Sequence, residues 1–558
     1  MLRRERHRLH LLGMMKLRVT YGYELRFIYS LTRLDEEKIM SLNSVTTLDF
    51  GTELFVDDVL IKSKRGVTRT IHAGIKHETP VLYPDPDKPW EHGGEAQSKR
   101  VHLYGTTMYD RAMGKYRMWY MCRMGPHWRF KAHTVPGLYI PRSSRNPSTF
   151  LGQTHDAHGR KFVENDRGDL ICYAESNDGI KWEKPNLGIF KFNGSGNNNI
   201  VWDLHGASVF RDEDESDPQA RYKAIGFCRR YRNIFLLTSP DGIHWDDSAH
   251  LQPVAERDNE GCFNVVYDER ENIFRAYALM RGTDKDNRRM IYYTQSPHLS
   301  GPWNPLQPMF GASPKDDVIG AEKYGAVRAE VHNMSGFRYH NIHIGIAGLL
   351  YVTGPGAPKD EMPVDGPIDA HLICSRDGFN WCYPDAVQTP VLSRGEIGEF
   401  DGGMIMGTAT QPIIATDEIH WYYTGARHTH GLALKERYKA IGRVTWRLDG
   451  FASLDANLDD GVVETVPLYI PDGELEINAD ATDGMVWVEV LSSDGQVQPG
   501  FSIKDCTPLT GDCIRHPIRW KSGILANAEK PLRLRFTFNR AKLYAFRINK
   551  LSSSKKTN

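Results

Sequence analysis

One seven-residue turn recurs along this chain and restricts its fold more than any other feature. It reads Ser176-Asn-Asp-Gly-Ile-Lys-Trp182, Ser239-Pro-Asp-Gly-Ile-His-Trp245 and Ser375-Arg-Asp-Gly-Phe-Asn-Trp381, with a looser copy from Ser296 to Trp303. Aspartate bonds its own backbone and glycine takes positive φ at little cost, so Asp-Gly closes a tight turn. The tryptophan is then expected to pack between neighbouring sheets. Short runs of half-buried strand character lie between the copies, among them Tyr116-Arg-Met-Trp-Tyr-Met121, Ile234-Phe-Leu-Leu-Thr238, Met290-Ile-Tyr-Tyr-Thr294 and His420-Trp-Tyr-Tyr-Thr424. A repeat of roughly sixty residues, each a few antiparallel strands ending in one turn, is the sequence signature of radially arranged blades. The competing reading is a string of β-sandwich domains with similar hairpins.

The fold class expected is therefore all-β: a five-bladed β-propeller over 45–446, followed by a C-terminal β-sandwich over 447–550. Blades are placed at about 100–185, 198–248, 260–305, 327–384 and 400–446, with Leu54–Ile61 as the strand that completes the last one. The sandwich rests on clean alternation in Leu475-Glu-Ile-Asn-Ala479, Val486-Trp-Val-Glu-Val-Leu491 and Leu532-Arg-Leu-Arg-Phe-Thr-Phe538. Residues 1–44 read as a weakly structured extension and 551–558 as a disordered tail. The copy of Arg-Tyr-Lys-Ala-Ile-Gly at 221–226 and 437–442 falls at different places in its blades and is read as coincidence.

Charge and cysteine usage narrow the function classes. Lys plus Arg and Asp plus Glu number 70 each, so no overall field draws the chain to nucleic acid or to an anionic membrane. The eight cysteines lack zinc-ligand spacing, and neither a metal nor another cofactor is expected. Cys506 and Cys513 are either open thiols or a hairpin bridge, with open thiols the expectation. His340-Asn-Ile-His343 is a poor metal pair, because residues three apart on a strand face opposite ways. No long apolar run and no cleavage site follow Met1–Met15, so a cytoplasmic location is expected.

The Asp-Gly turns, the strand-closing Met118-Trp119-Tyr120, the opening Leu54-Phe-Val-Asp-Asp58 and the rear segments Asp449-Gly-Phe-Ala-Ser-Leu454 and Gly500-Phe-Ser502 resemble the five-bladed propeller glycoside hydrolases. That superfamily holds families 32, 43, 68, 117 and 130, and the likeness is greatest to bacterial family 32-like glycosyl hydrolases. It spans about residues 51–548 and implies a glycosidase acting on an oligosaccharide. The chain departs from family 32 where Arg211-Asp212 is followed by Glu213 and where a glycine separates Glu260 from Cys262, so a fructoside substrate is not implied.

Glycoside hydrolysis needs two carboxyl groups across the scissile bond, one protonated and one ionised. Glu260, ahead of strand Phe263-Asn-Val-Val-Tyr267, is the first choice for the acid, because the resembling families keep their acid there. Asp401, between glycines that let a substrate reach the backbone, is the first choice for the second carboxylate. Glu330 and Asp212 are read as helpers, and Asp57 or Asp58 as a nucleophile or base. Each also has a plain reading, as solvated loop, turn or edge-strand acid. His332, His205 and His102 are candidates for substrate contact or for a histidine acid. Trp90 and Tyr339 are candidate sugar platforms, and Arg338 a carboxylate or sulfate clamp. The leading function is an exo-acting glycosidase. A non-catalytic carbohydrate-binding propeller and a glycoside phosphorylase are the alternatives, since a fold does not fix its chemistry.

Overall fold

The computed structural model describes residues 45–551 apart from 93–98, 124–168, 191, 193–194, 203, 229–232, 247–262, 283–286, 358–363, 386 and 433–436. The chain is all-β and divides into two units, one of 52–57 and 69–453, the other containing 58–68 and 454–551. Among the described residues no helix is long and apolar enough to cross a membrane.

The larger unit is a succession of antiparallel meanders. After β1 (Ile75–Lys76), the first meander runs through β2 (Lys99–Asp110), β3 (Lys115–Arg123), β4 (Asp169–Ser176) and β5 (Ile200–Trp202). A second comprises β6 (His205–Arg211), β7 (Tyr222–Cys228) and β8 (Asn233–Ser239). A third has β9 (Phe263–Asp268), β10 (Ile273–Arg281), β11 (Arg289–Ser296) and β12 (Gln307–Phe310). Helix α1 (Pro314–Tyr324) leads into a fourth, β13 (Arg328–Tyr339), β14 (Ile342–Val352), β15 (Ile368–Ser375) and β16 (Pro390–Leu392). The last is β17 (Met404–Thr408), β18 (Glu418–Ala426) and β19 (Tyr438–Arg447). Parallel bridges from β15 to β17 and from β19 to β2 join three of these meanders into one curled sheet. First strands lie against first strands: β2 against β6, β6 against β9, β9 against β13, β13 against β17, and β17 against β2.

The outer partner of β19 is β1, through Lys76↔Val444 and Ile75↔Thr445. This corrects the expectation that Leu54–Ile61 would fill that place. Residues 55–60 form a turn, and Arg69 holds that turn's Phe55 and Asp57 carbonyls. Asp57 faces inward to a bidentate pair with Arg376, which also reaches Glu53.

The recurrent turn sits after the third strand of a meander and has the same wiring each time. In the third copy Ser375 Oγ accepts from the Gly378 amide, and Asp377 Oδ1 accepts from the amides of Phe379 and Asn380. Ser239 and Asp241, and Ser176 and Asp178, repeat those bonds. Each glycine carbonyl is then taken by an aromatic side chain on the second strand of another meander. Trp119 Nε1 donates to Gly242 at 2.7 Å, Tyr422 Oη to Gly179 at 2.8 Å and Tyr277 Oη to Gly378 at 3.3 Å. The glycines have φ of 71 to 76°, and a Cβ there would strike the Tyr422 hydroxyl, the Trp119 ring or Arg275, so only glycine serves both the turn and the contact.

A buried guanidinium reinforces two of these junctions. Arg117 donates to Asp110 at 3.1 Å, to the Tyr173 hydroxyl at 2.9 Å and to the Asp241 carbonyl at 2.5 Å, and lies over the Trp119 ring. Arg275 repeats the arrangement with Asp268 and Tyr293. The sequence carries this as a second repeat, Tyr109-Asp110 then Tyr116-Arg117-Met-Trp119, matched by Tyr267-Asp268 then Phe274-Arg275-Ala-Tyr277 at the same spacing.

The smaller unit is a separate antiparallel sheet system around β20 (Gly461–Thr465), β21 (Gly473–Ser492), β22 (Leu509–Pro517), β23 (Leu532–Asn539) and β24 (Ala541–Lys550), with β21 pairing β22, β23 and β24. Alternate residues such as Leu475, Ile477, Val488, Leu534, Phe536, Leu543 and Ile548 are buried, as the period-two pattern requires. Cys506 and Cys513 are free.

Arg117 and Asp110 are both fully buried, so Arg117→Ala strands a carboxylate in a low-dielectric junction. It should cost about 3–5 kcal/mol by urea denaturation followed through tryptophan fluorescence. The paired Asp110→Asn/Arg117→Met variant, which removes both charges, should cost distinctly less than Arg117→Ala.

Candidate functional site

The Asp-Gly turns occupy one end of the meanders; the opposite end, where first strands begin, gathers the ionisable groups. On β13 alternation sends Arg328 and Glu330 to one face, and a bulge between Val331 and Asn333 re-aims the strand at His332. Glu330 is fully buried between Arg289 of β11, at 3.0 Å, and Arg328, at 2.7 Å. His332 lies beside His430, ring centroids 4.9 Å apart. His428 and His430 follow β18, and Lys439 begins β19.

Burial sets the protonation of these imidazoles. His332 is driven well below the ordinary histidine range by desolvation, and the charges of His430, Arg289 and Lys439 push the same way. Burial, again reinforced by neighbouring cations, takes His428 and His430 down to about 3. All three rings are neutral at physiological pH. Nδ1 of His428 donates to the Thr429 carbonyl at 2.7 Å, which leaves Nε2 as the acceptor. That Nε2 and Nδ1 of His332 are buried without a hydrogen-bond partner among the described residues. Each is a buried polar atom whose hydrogen-bonding capacity is not met by the described residues.

Asp401 stands just before β17, buried to 1 % exposure. Its Oδ2 accepts from Lys76 Nζ at 2.9 Å and from the Tyr423 hydroxyl at 2.8 Å, while Oδ1 has no partner among the described residues. Gly402 and Gly403 follow it, and a Cβ on Gly403 would strike the His428 backbone, so the carboxyl segment and the histidine segment are packed together. A further buried carboxylate, Asp369 at the start of β15, is held by Lys323, Arg394 and Tyr324.

His102, the fourth residue of β2, and His205, which starts β6, are buried on either side of Tyr104, with ring centroids 5.3 and 5.7 Å away. The other candidates do not join this cluster. Asp212 follows the far end of β6, where it pairs with Lys223. Tyr339 closes the far end of β13, and its hydroxyl donates to Asp449. Arg338 is there too, tied to Asp268 and Glu271. Asp58 is a surface partner of Lys64 in the smaller unit. Trp90 is buried, donates to Asn199 and packs edge-on against Phe192, so its faces are used internally. Glu260 lies outside the described residues. Among the described residues no three His, Cys, Asp or Glu side chains converge as metal ligands.

Sequence reading missed Lys76, Tyr423, Arg289, Lys439 and Asp369. Alternation offered a signal for Arg289 and Lys439, as cations at the first position or two of strongly apolar strands, where a charge needs a partner. Lys76 and Tyr423 carry no local signal, since their role comes from a partner more than three hundred and about twenty residues away respectively.

No protein-family model matches the chain, and no curated protein does. Among solved structures, the chain is similar to a glycosyl hydrolase from Bacteroides ovatus (11 % identity, 68 % of this chain and 94 % of that one, TM-score 0.38). It is also similar to a thermostable family-43 glycoside hydrolase (10 %, 62 % and 90 %, 0.36), and to the catalytic domain of the Coprinopsis cinerea GH62 alpha-L-arabinofuranosidase (10 %, 68 % and 98 %, 0.36).

Unfolded histidine titrates near about 6.5, so between that pH and about 3 the unfolded chain binds protons that the folded chain refuses. Stability must fall as pH falls through this window, by about 1.4 kcal/mol per pH unit for each such histidine. Melting temperatures measured from pH 7 down to pH 5 should drop, and the His428→Asn/His430→Gln variant should show a flatter profile. An equal slope in both proteins would mean that these rings are not held neutral.

Proposed function

We propose that the larger unit is a five-bladed β-propeller, followed by a β-sandwich, and that the chain is an exo-acting glycoside hydrolase whose pocket lies where the first strands begin. The propeller reading is supported by the return of β17 to β2 and by the completion of the last meander by β1. A closed circle of sheets leaves few exposed edges.

The observation that carries the enzymatic reading is Asp401. A buried carboxyl gripped on one oxygen by an ammonium and a phenol, with its other oxygen uncommitted, is fixed in orientation and ready to attack carbon or accept a proton from water. Glu260 serves as the acid, by its place ahead of β9. It gives its proton to the glycosidic oxygen as the bond to the anomeric carbon breaks, and water completes the exchange. Glu330 aligns Arg289 and Arg328, while the neutral imidazoles of His332 and His428 offer lone pairs to sugar hydroxyls. Exo-action, with a terminal sugar as the product, is part of the same proposal.

Purified protein assayed against a panel of aryl glycosides and plant oligosaccharides should release a single terminal sugar. Asp401→Asn and Glu260→Gln should each reduce kcat by roughly 10²–10⁴. Glu330→Gln should raise KM more than it lowers kcat. Unchanged turnover in both Asp401→Asn and Glu260→Gln would overturn the assignment.

A further inference from the structure

A cavity of about 290 Å³ opens at the turn end of the third and fourth meanders, bordered by Tyr293, Gln295, Asn304, Gln307, Asp377 and Phe379. Arg289 and Gln295 are six residues apart on β11, which at the rise of an extended strand separates this cavity from the Glu330 cluster by about 20 Å.

Its charges are already spent within the protein. Asp377 Oδ1 accepts from Ser375, Phe379 and Asn380, and its Oδ2 accepts from the Asn380 amide. Glu271, also at the rim, pairs with Arg275 and Arg338. The amides are not spent. Gln295 uses its Oε1 to accept from Tyr293 and keeps Nε2, and the Asn304 and Gln307 side chains have no hydrogen-bond partner among the described residues. Primary amides present a donor and an acceptor side by side, the pattern that vicinal hydroxyls match.

The aromatic wall is specific to this copy of the turn. Where the first two copies have Ile180 and Ile243, the third has Phe379. Its ring meets Tyr293 edge-on, centroids 5.4 Å apart at 73°, and the Tyr293 hydroxyl is itself pinned by Arg275 and Gln295. Phe379 is thus a braced platform rather than a loose surface ring. An apolar face beside unspent amides, in a space at the small end of ligand pockets, suits one neutral sugar ring.

We propose that this cavity is a non-catalytic saccharide site, taking one neutral pyranose of a longer glycan. The proposal stands apart from the hydrolase reading, and its test reads binding rather than turnover.

Affinity electrophoresis of the full chain through gels containing larch arabinogalactan, birchwood xylan or yeast mannan should retard the wild-type protein in at least one. Phe379→Ala and Asn304→Ala/Gln307→Ala should weaken that retardation by about tenfold or more in Kd, while Asp401→Asn keeps it. Should Phe379→Ala lose its fold by circular dichroism, the double variant, confined to two exposed side chains, decides. Wild-type mobility unaffected by all three glycans, or undiminished retardation of the double variant, would overturn the proposal.

Discussion

The larger unit depends on a hydrogen bond made between meanders rather than within them: the carbonyl of a turn glycine taken by an aromatic donor on another meander's second strand. Backbone ladders hold each meander together, but among the described residues only two short parallel bridges, β15 to β17 and β19 to β2, carry that pairing from one meander to the next. Trp119, Tyr277 and Tyr422 supply side-chain links between meanders. Each spans a junction with an apolar ring and satisfies a carbonyl at its tip, so the contact combines packing with the direction that packing alone lacks. The glycine is indispensable for two independent reasons, its positive φ and the absence of a Cβ, and the Ser-x-Asp frame holds it in place.

With that end of the meanders fixed, the other end can afford groups that a stability-driven sheet would avoid. Glu330 between two arginines, three imidazoles kept neutral by burial, and Asp401 with an uncommitted oxygen all lie among strand starts. Desolvated groups of this kind are costly unless rigidly supported. The contrast between the ends is visible along single strands. β13 begins with Glu330 and His332 and finishes with Arg338 and Tyr339, whose polar atoms are consumed by Asp268, Glu271 and Asp449.

What could be read from the sequence follows from range. Turns are local, so the Asp-Gly motif disclosed its hydrogen bonds and its meander ends directly, and strand alternation disclosed Leu475 to Phe538 as buried faces. The Asp110–Arg117 and Asp268–Arg275 pairs are also legible, as an aspartate and an arginine recurring seven residues apart in matching aromatic surroundings. Side-chain direction at strand ends was not legible. Tyr339 and Arg338 sit on the same strand as Glu330, and nothing in their immediate neighbours tells which end gathers the buried ionisable groups. Nor could sequence reveal that Asp401 leans on Lys76. The same limit misplaced the closing strand: Leu54–Ile61 has better strand character than Ile75–Lys76, yet partnership with Val444 and Thr445 is decided by where the chain returns.

That return has a consequence for biosynthesis. Ile75 and Lys76 emerge from the ribosome early, but the strand they lie beside is made some 370 residues later. Until then the edge they will cover does not exist, and Lys76 has no Asp401 to grip. The clasp joining early and late chain therefore forms among the last events of folding, and the residue that steadies the uncommitted carboxyl belongs to it. In the reading proposed above, the carboxyl that would do the chemistry is thus steadied only once the late strands are made, and a partly made chain has Lys76 without its partner.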